Sequence, residues 1–373
     1  MHIVYFFTYG YSLESWNSAG LLDRELKIFD KLINKYNLKF TLVTYGDERE
    51  YDFNLNENIK ILPIYTLINK SPRKLINLIR TFFISKLILN KVDDFDVIKQ
   101  NQLLGSWVPI LCKLKTKKPL YIRTGYDMYL FSIKEKKSIF KILLYYILTQ
   151  ITLFFSNLYS ITSKEDKLFL SKYFLADKKK LIIRPNWVEN YNTKDFSERK
   201  SKSLLAVGRF EKQKNYKHLI ESLAGTEFSL DIVGSGSEKE VLEKLSRDLS
   251  VEVNFLGILK NEDLLKLYTE YKYFVSSSEY EGNPKAILEA MSSGCIVIAR
   301  AIPNNKEIII NQDNGFLFNE GENSLNQILN EIKKLNNEKL NEISLKAISH
   351  TKKQNSLDGL SVNIYSDFAS LKK

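Results

Sequence analysis

Residues 276–299 read SSSEYEGNPKAILEAMSSGCIVIA, with Glu289 set among Ala286, Ile287, Leu288, Ala290 and Met291. Asn283 followed by Pro284 reads as a helix start, since Asn is a favoured N-cap and Pro is preorganised for the first helical position. Gly294 fits the left-handed residue that stops a helix, and CIVIA resumes a strand. The helix amides at Lys285 and Ala286 then face the C-terminal edge of a parallel sheet, where open α/β folds bind ligands and helix ends take anions. An ionised carboxylate in that apolar setting is costly unless it is hydrogen-bonded. Two vicinal hydroxyls of a ribose would satisfy both oxygens of Glu289, which lies about 7 Å along the helix at 1.5 Å per residue. Glu281, eight residues earlier, reaches the group beyond a diphosphate seated on the helix end. On spacing alone two plainer readings stand beside this one. Glu281 could merely favour the helix dipole, worth about 0.3–1 kcal/mol, and Glu289 could pair with a lysine.

The rest of the chain is built of the same units. Its 373 residues suit two ordinary domains, and 44% hydrophobic with 27% charged residues excludes a disordered chain. Near-continuous apolar runs such as KFTLVTYG and NIKILPIY alternate with helical patterns, as doubly covered parallel strands require. A polar stretch at 186–202 reads as a linker, and a second series follows: SLLAVGRF, NYKHLIESLAG, FSLDIVGSG, VEVNFLG and KYFVSSS. The expected organisation is an N-terminal α/β domain at 1–185, the linker, a second α/β domain at 203–350 and a terminal helix at 351–373.

The net charge of +11 and pI near 9.2 favour polyanionic partners: nucleic acid, anionic lipid or phosphorylated ligands. Cys112 and Cys295 are isolated in apolar runs, which fits a reducing compartment, and His2, His218 and His350 lack zinc-ligand spacing. The opening MHIVYFFTYG reads as a strand, with neither the cationic start nor the length of a signal peptide.

The segment EGNPKAILEAMSSGCIVIA resembles the paired-glutamate signature of the retaining family 4 (group 1) glycosyltransferases. AVGRFEKQKNYKHLIESL, LDIVGSGSEKEVLEKL, VNFLGIL, IPNNKEIIINQDNGFLF and LIIRPNWVEN resemble further motifs of that family in the same order. The resemblance is close over the C-terminal half and general over the N-terminal half. It implies the GT-B fold, two Rossmann-like α/β domains facing each other across a cleft, with a C-terminal helix crossing back. It implies Arg209 and Lys214 as the cations on the donor diphosphate, Glu281 on the donor-sugar hydroxyls and Glu289 on the ribose. Gly282, Asn283, Lys285 and Ala286 would cradle phosphates or sugar, Gly234 and Gly236 would shape the nucleotide cleft, and Gly257 would border the base. It implies a UDP- or GDP-sugar as co-substrate, no further cofactor and no metal.

Two features depart from the family pattern. Asn304-Asn305 replaces a Gly-Gly turn, which Asn could preserve by adopting a left-handed conformation. The N-terminal half has neither the usual glycine-rich loop nor a histidine near the acceptor. Gly10, Arg123, Tyr126 and Asp127 are the acceptor-side candidates, with Asp127 either orienting hydroxyls or capping the next helix. Without a clear general base, a front-face mechanism is expected, the leaving diphosphate helping to remove the acceptor proton.

Lys70–Lys91 holds six basic residues and no acidic one, with Ile76, Ile79, Phe82, Phe83 and Leu87 at helical spacing. A basic amphipathic helix of this kind suits an anionic membrane surface. KEKKSIFKILLYYILTQITLFFSNLY is apolar enough to suggest a span, but Lys141, Thr149, Gln150 and Thr152 interrupt it, and it is expected to be a core helix. The expected setting is the cytoplasm or the inner face of the membrane, with a glycan or lipid-linked acceptor. Asp93–Asp96 contains an Asp-x-Asp pattern, read here as a solvated loop. A non-catalytic sugar-nucleotide scaffold is the alternative. A nucleic-acid binder is favoured only by charge, and nucleic acid is not an expected partner.

Overall fold

The computed structural model describes residues 1–189, 194–321 and 323–372. The chain divides into two compact units, Met1–Pro185 with Leu360–Lys373, and Asn186–Gly359.

The first unit holds a parallel sheet of β1 (His2–Phe6), β2 (Lys39–Thr44), β3 (Ile59–Pro63), β4 (Val97–Asn101), β5 (Leu120–Arg123), β6 (Leu158–Ile161) and β7 (Leu181–Ile183). Their order is β3-β2-β1-β4-β5-β6-β7. Helices α1 (Leu13–Ser18) and α2 (Leu22–Tyr36) cover one face, where Phe29, Phe40 and Tyr121 meet Phe368 from the C-terminus. On the other face lie α3 (Lys74–Thr81), α4 (Ser85–Leu89), α5 (Trp107–Thr116), α6 (Met128–Lys134), α7 (Ile139–Phe155) and α8 (Lys164–Tyr173). Both faces are covered, which is why the strands read as unbroken apolar runs.

The second unit holds β8 (Lys200–Val207), β9 (Ser229–Val233), β10 (Val253–Gly257), β11 (Tyr271–Ser276), β12 (Ile296–Arg300) and β13 (Phe316–Phe318). The order is β10-β9-β8-β11-β12-β13, again parallel. Helices α9 (Tyr216–Leu223) and α10 (Lys239–Asp248) pack on one face, and α11 (Asn261–Tyr268) and α12 (Lys285–Ser292) on the other. They are followed by the single turn α13 (Pro303–Lys306), then α14 (Leu325–Lys334), α15 (Asn337–Gln354) and α16 (Leu357–Leu371). Each sheet is the α/β arrangement expected from the alternating pattern.

Several local expectations need correction. The stretch read as a linker is largely built into the second unit: Trp187, Val188, Phe196 and Arg199 are buried, and β8 already begins at Lys200. Residues 190–193 of that stretch lie outside the described residues. The terminal segment is two helices rather than one, with a break at Asn355–Ser356, and the chain rejoins the first unit at Leu360. The basic segment at 70–91 is also two helices, α3 and α4, separated by Phe82–Ile84. Helix α7 is not a core helix, because among its residues only Thr149, Thr152 and Leu153 are buried. Asn304 and Asn305 do not form a left-handed turn; they belong to α13, and Asn305 donates through Nδ2 to the Arg300 carbonyl at 2.9 Å.

Within the first unit the C-terminal segment is fastened by Asp367. Its carboxylate accepts from Arg184 at 2.5 and 2.8 Å and from the Tyr121 hydroxyl at 2.9 Å. Beneath this cluster the buried Lys99 ammonium sits 3.5 Å from the Tyr121 ring centroid, and burial holds its pKa well below the usual lysine range.

Candidate active site

In the second sheet, β8 lies between β9 and β11, so successive connections leave it in opposite directions. The crevice at the C-terminal ends of two strands that diverge in this way is where such sheets take ligands. The loop after β8 carries Arg209 and Lys214, and the loop after β11 carries Glu281. The family resemblance implies these residues one by one; the fold brings two of them into contact. Lys214 Nζ lies 2.5 Å from Glu281 Oε1, both side chains being largely buried.

Side chains that the sequence reading missed hold this pair. Ser277 donates from Oγ to the carbonyls of Lys214 and Asn215 at 2.8 and 2.9 Å. Gln213 donates to the Tyr280 carbonyl at 2.7 Å, and the Glu279 amide donates back to the Gln213 carbonyl at 2.9 Å. Asn215 takes a left-handed conformation, φ 49°, and caps α9. The only available sequence signals were polarity at Gln213 and Asn215 and the serine run at 276–278, none of which names a partner.

Arg209 is not drawn into the pair. Its guanidinium is exposed and bridges Glu211 at 2.9 Å. Its backbone, however, is central. The Gly208 amide donates to Val233 at 2.9 Å, the Phe210 amide to Ser235 at 2.8 Å and the Gly234 amide to Gly257 at 2.8 Å. A side chain at Gly234 would meet the Gly208 carbonyl at 2.0 Å, and one at Gly236 the Phe210 carbonyl at 2.4 Å. The loops after β8, β9 and β10 are thus laced backbone to backbone, which is why the two glycines are needed.

Asn283 is not the N-cap of α12. Its side-chain oxygen accepts from the Asn186 amide at 2.8 Å and its carbonyl from Asn186 Nδ2 at 2.7 Å, leaving Pro284 at the cap position. The loop is therefore pinned to the start of the unit, and the Lys285 ammonium sits 4.7 Å from the Trp187 ring centroid. The first helical bond of α12 runs from the Leu288 amide to Pro284, so the amides of Ala286 and Ile287 stand ahead of the ladder at its positive end. Gly282 is buried in the same loop, and Gly294 takes φ 79° just beyond the helix.

Glu289 is buried, only 5% exposed. Its neighbour is the Tyr268 phenol on α11, whose pKa is pushed well up by burial first and by the Glu289 carboxylate second. The phenol therefore keeps its proton beside the carboxylate.

The acceptor-side candidates all lie at the C-terminal edge of the first sheet. Gly10, φ 81°, follows β1. Arg123 ends β5, and its carbonyl accepts from the Gln102 amide at 2.6 Å. Tyr126 is partly exposed and stacks on Phe131 with centroids 4.9 Å apart. Asp127 caps α6 by accepting from the Leu130 amide at 2.7 Å. Its burial, reinforced by the Asp166 charge, lifts its pKa to about 6. The capping alternative for Asp127 is realised. Of the Asp-x-Asp pair, Asp94 bridges Lys118 at the surface, while Asp96 accepts from the His2 amide at 2.8 Å and pairs with Lys372 at 3.3 Å.

Comparison with known proteins agrees with this geometry. Residues 189–353 match the family described as "Glycosyl transferases group 1". A UDP-N-acetylglucosamine–peptide N-acetylglucosaminyltransferase GtfA subunit of Streptococcus agalactiae is 29% identical over 34% of this chain and 26% of its own. The amylovoran biosynthesis glycosyltransferase AmsD of Erwinia amylovora is 24% identical over 84% of this chain and 86% of its own. Anabaena Alr3699/HepE, crystallised with UDP and glucose, superposes with a TM-score of 0.72 over 99% of this chain and all of that one, at 18% identity. The chain spans less than half the length of several curated relatives it matches. The family match lies within the second unit, and the two parallel sheets are those of the GT-B fold that the solved structures share.

Proposed function

We propose that the protein transfers a hexose-type sugar from a UDP- or GDP-linked donor to a glycan or lipid-linked acceptor, retaining the anomeric configuration and using no metal. The observation that carries this reading is the Lys214–Glu281 contact at the switch point, beside the open amides of α12 and above the buried Glu289. The donor diphosphate would take Lys214 and the helix amides, its ribose Glu289 and its sugar Glu281. Arg209 would turn from Glu211 toward the phosphates as the donor arrives. The bond from the anomeric carbon to the phosphate oxygen breaks, and one to the acceptor oxygen forms on the same face. The acceptor proton passes to the departing phosphate, where negative charge gathers. Preorganised cations and helix amides aimed at that charge lower the barrier.

The edge bearing Gly10, Arg123, Tyr126 and Asp127 is the proposed acceptor side. Bacterial surface polysaccharide or lipopolysaccharide assembly is the proposed pathway, supported by the amylovoran relative. The proposed location is the cytoplasm, against the anionic inner face of the membrane through the basic helices of the first unit. UDP is the first nucleotide to test, given the ligands of the Anabaena structure. A metal-free thermal-shift screen against UDP, GDP, ADP, CMP and their sugar conjugates tests the donor site. Stabilisation by one nucleoside diphosphate supports the reading, and no response to any of them overturns it.

A further inference from the structure

Helix α7 carries apolar side chains on both of its sides. Its protein-facing side buries Leu153 with Thr149 and Thr152, Tyr146 and Phe155 pack against the same core, and the Thr152 hydroxyl turns back to the Leu148 carbonyl at 2.8 Å. Its outer side carries Phe140, Leu143, Leu144, Ile147, Ile151 and Phe154, all exposed, with Phe140 at 81% and Phe154 at 72%. Each lies three or four residues from another of the set, which makes a single stripe about 21 Å long at 1.5 Å per residue. A helix in water ordinarily keeps such a stripe out of solvent; this one leaves six large apolar side chains exposed.

The stripe does not stand alone. Helices α4, α5, α7 and α8 feed their inner side chains into one core, so they form a single layer over one sheet face. Leu75 and Ile79 of α3, Phe82 and Phe83 just after it, and Leu87 of α4 are exposed as well, Phe83 at 75%. Phe82 is held against Trp107 of α5, rings nearly parallel with centroids 5.4 Å apart. An exposed apolar area of this extent marks an interaction surface.

Charge decides the partner. The apolar side chains are bordered by Lys136 and Lys141 at the entrance of α7 and by the six cations of residues 70–91. From Ser138 to Ser163 the chain holds no acidic residue. A bilayer with anionic headgroups matches the apolar stripe and the cationic rim at once. Among the described residues no helix is long and apolar enough to cross a membrane. We infer that α7, with α5 between it and the basic α4, lies flat in the headgroup region of an anionic bilayer with its Phe140–Phe154 stripe inserted among the acyl chains. This extends the membrane contact proposed above from charge to a defined inserting face, and it stands or falls independently of sugar transfer.

The test is vesicle sedimentation of the full chain, beside the triple variant Phe140→Ser/Leu144→Ser/Phe154→Ser. The vesicles are phosphatidylcholine alone, or phosphatidylcholine with about one third phosphatidylglycerol. All three positions are exposed, so the variant should fold, and an unchanged melting temperature and far-UV circular dichroism spectrum verify that. The wild type should pellet with the anionic vesicles more than with the neutral ones, and the variant's partition should fall at least about tenfold. A wild type that stays in the supernatant, a variant that pellets equally well, or equal pelleting with both vesicles would each overturn the inference. A concentration-dependent dimer that the triple variant disperses, without vesicle binding, would overturn it in favour of a second copy of this chain.

Discussion

Lys214 and Glu281, 67 residues apart in the chain, meet at 2.5 Å with their side chains 20% and 11% exposed. The pair therefore neutralises its own cation. In the proposed reaction a donor diphosphate would share or displace this contact, so the two residues would act as one unit toward the donor rather than as independent contributors.

Glu281→Gln should lower kcat by on the order of a hundredfold without weakening UDP binding, because the sugar loses a charged partner while Lys214, released from the carboxylate, stays available to the diphosphate. Lys214→Ala should weaken UDP binding and lower kcat together. The double variant should fall short of the product of the two single effects. Steady-state kinetics with parallel calorimetric titration of UDP separates these outcomes; an additive cycle would show that the two residues do not couple.

Glu289→Gln should reduce nucleotide affinity about ten- to a hundredfold, the worth of hydrogen bonds to a charged group. The substitution preserves volume beside Tyr268, and it removes the charge that raises the phenol's pKa. Equal UDP affinity in the two proteins would remove the ribose assignment.

Asp127 gives a pH signature in the first unit. Its carboxyl has a pKa of about 6 when folded, against an ordinary 3.8. A group of this kind binds more protons folded than unfolded between those values. Its stabilising contribution is therefore full below 3.8 and is lost as pH climbs toward 6. The loss amounts to up to about 3 kcal/mol. Asp127→Asn, which keeps the cap acceptor, should flatten that part of the stability profile and be the more stable protein at neutral pH. Asp127→Ala should forfeit the cap, at a cost of about 1 kcal/mol. Urea unfolding from pH 4 to 7 reads both effects.

Asp367→Ala should destabilise the first unit by about 3–5 kcal/mol, since it leaves a guanidinium uncompensated at a partly buried site. Arg184 would lose both of its bonds to Asp367, and the Tyr121 hydroxyl would lose its acceptor. Chemical denaturation followed by tryptophan fluorescence measures this, and a change under about 1 kcal/mol would mean that the cluster is dispensable.

The sequence by itself determined the two parallel sheets, because strands buried on both faces must be unbroken apolar runs and the intervening helices must show their own period. It also determined the helix carrying Glu289, which starts at Pro284 and stops before Gly294. Periodicity reports burial but not which neighbour does the burying. That is why α7, apolar enough for a core, could not be distinguished from a helix that turns its apolar face outward. Contacts between loops are equally invisible along the chain. Ser277 and Gln213, which set Lys214 against Glu281, Asn186, which takes Asn283 away from the helix cap, and the exposed stripe from Phe140 to Phe154 were decided only by the tertiary structure. Each depends on where a distant segment lies, and a one-dimensional pattern of polarity carries no such distance.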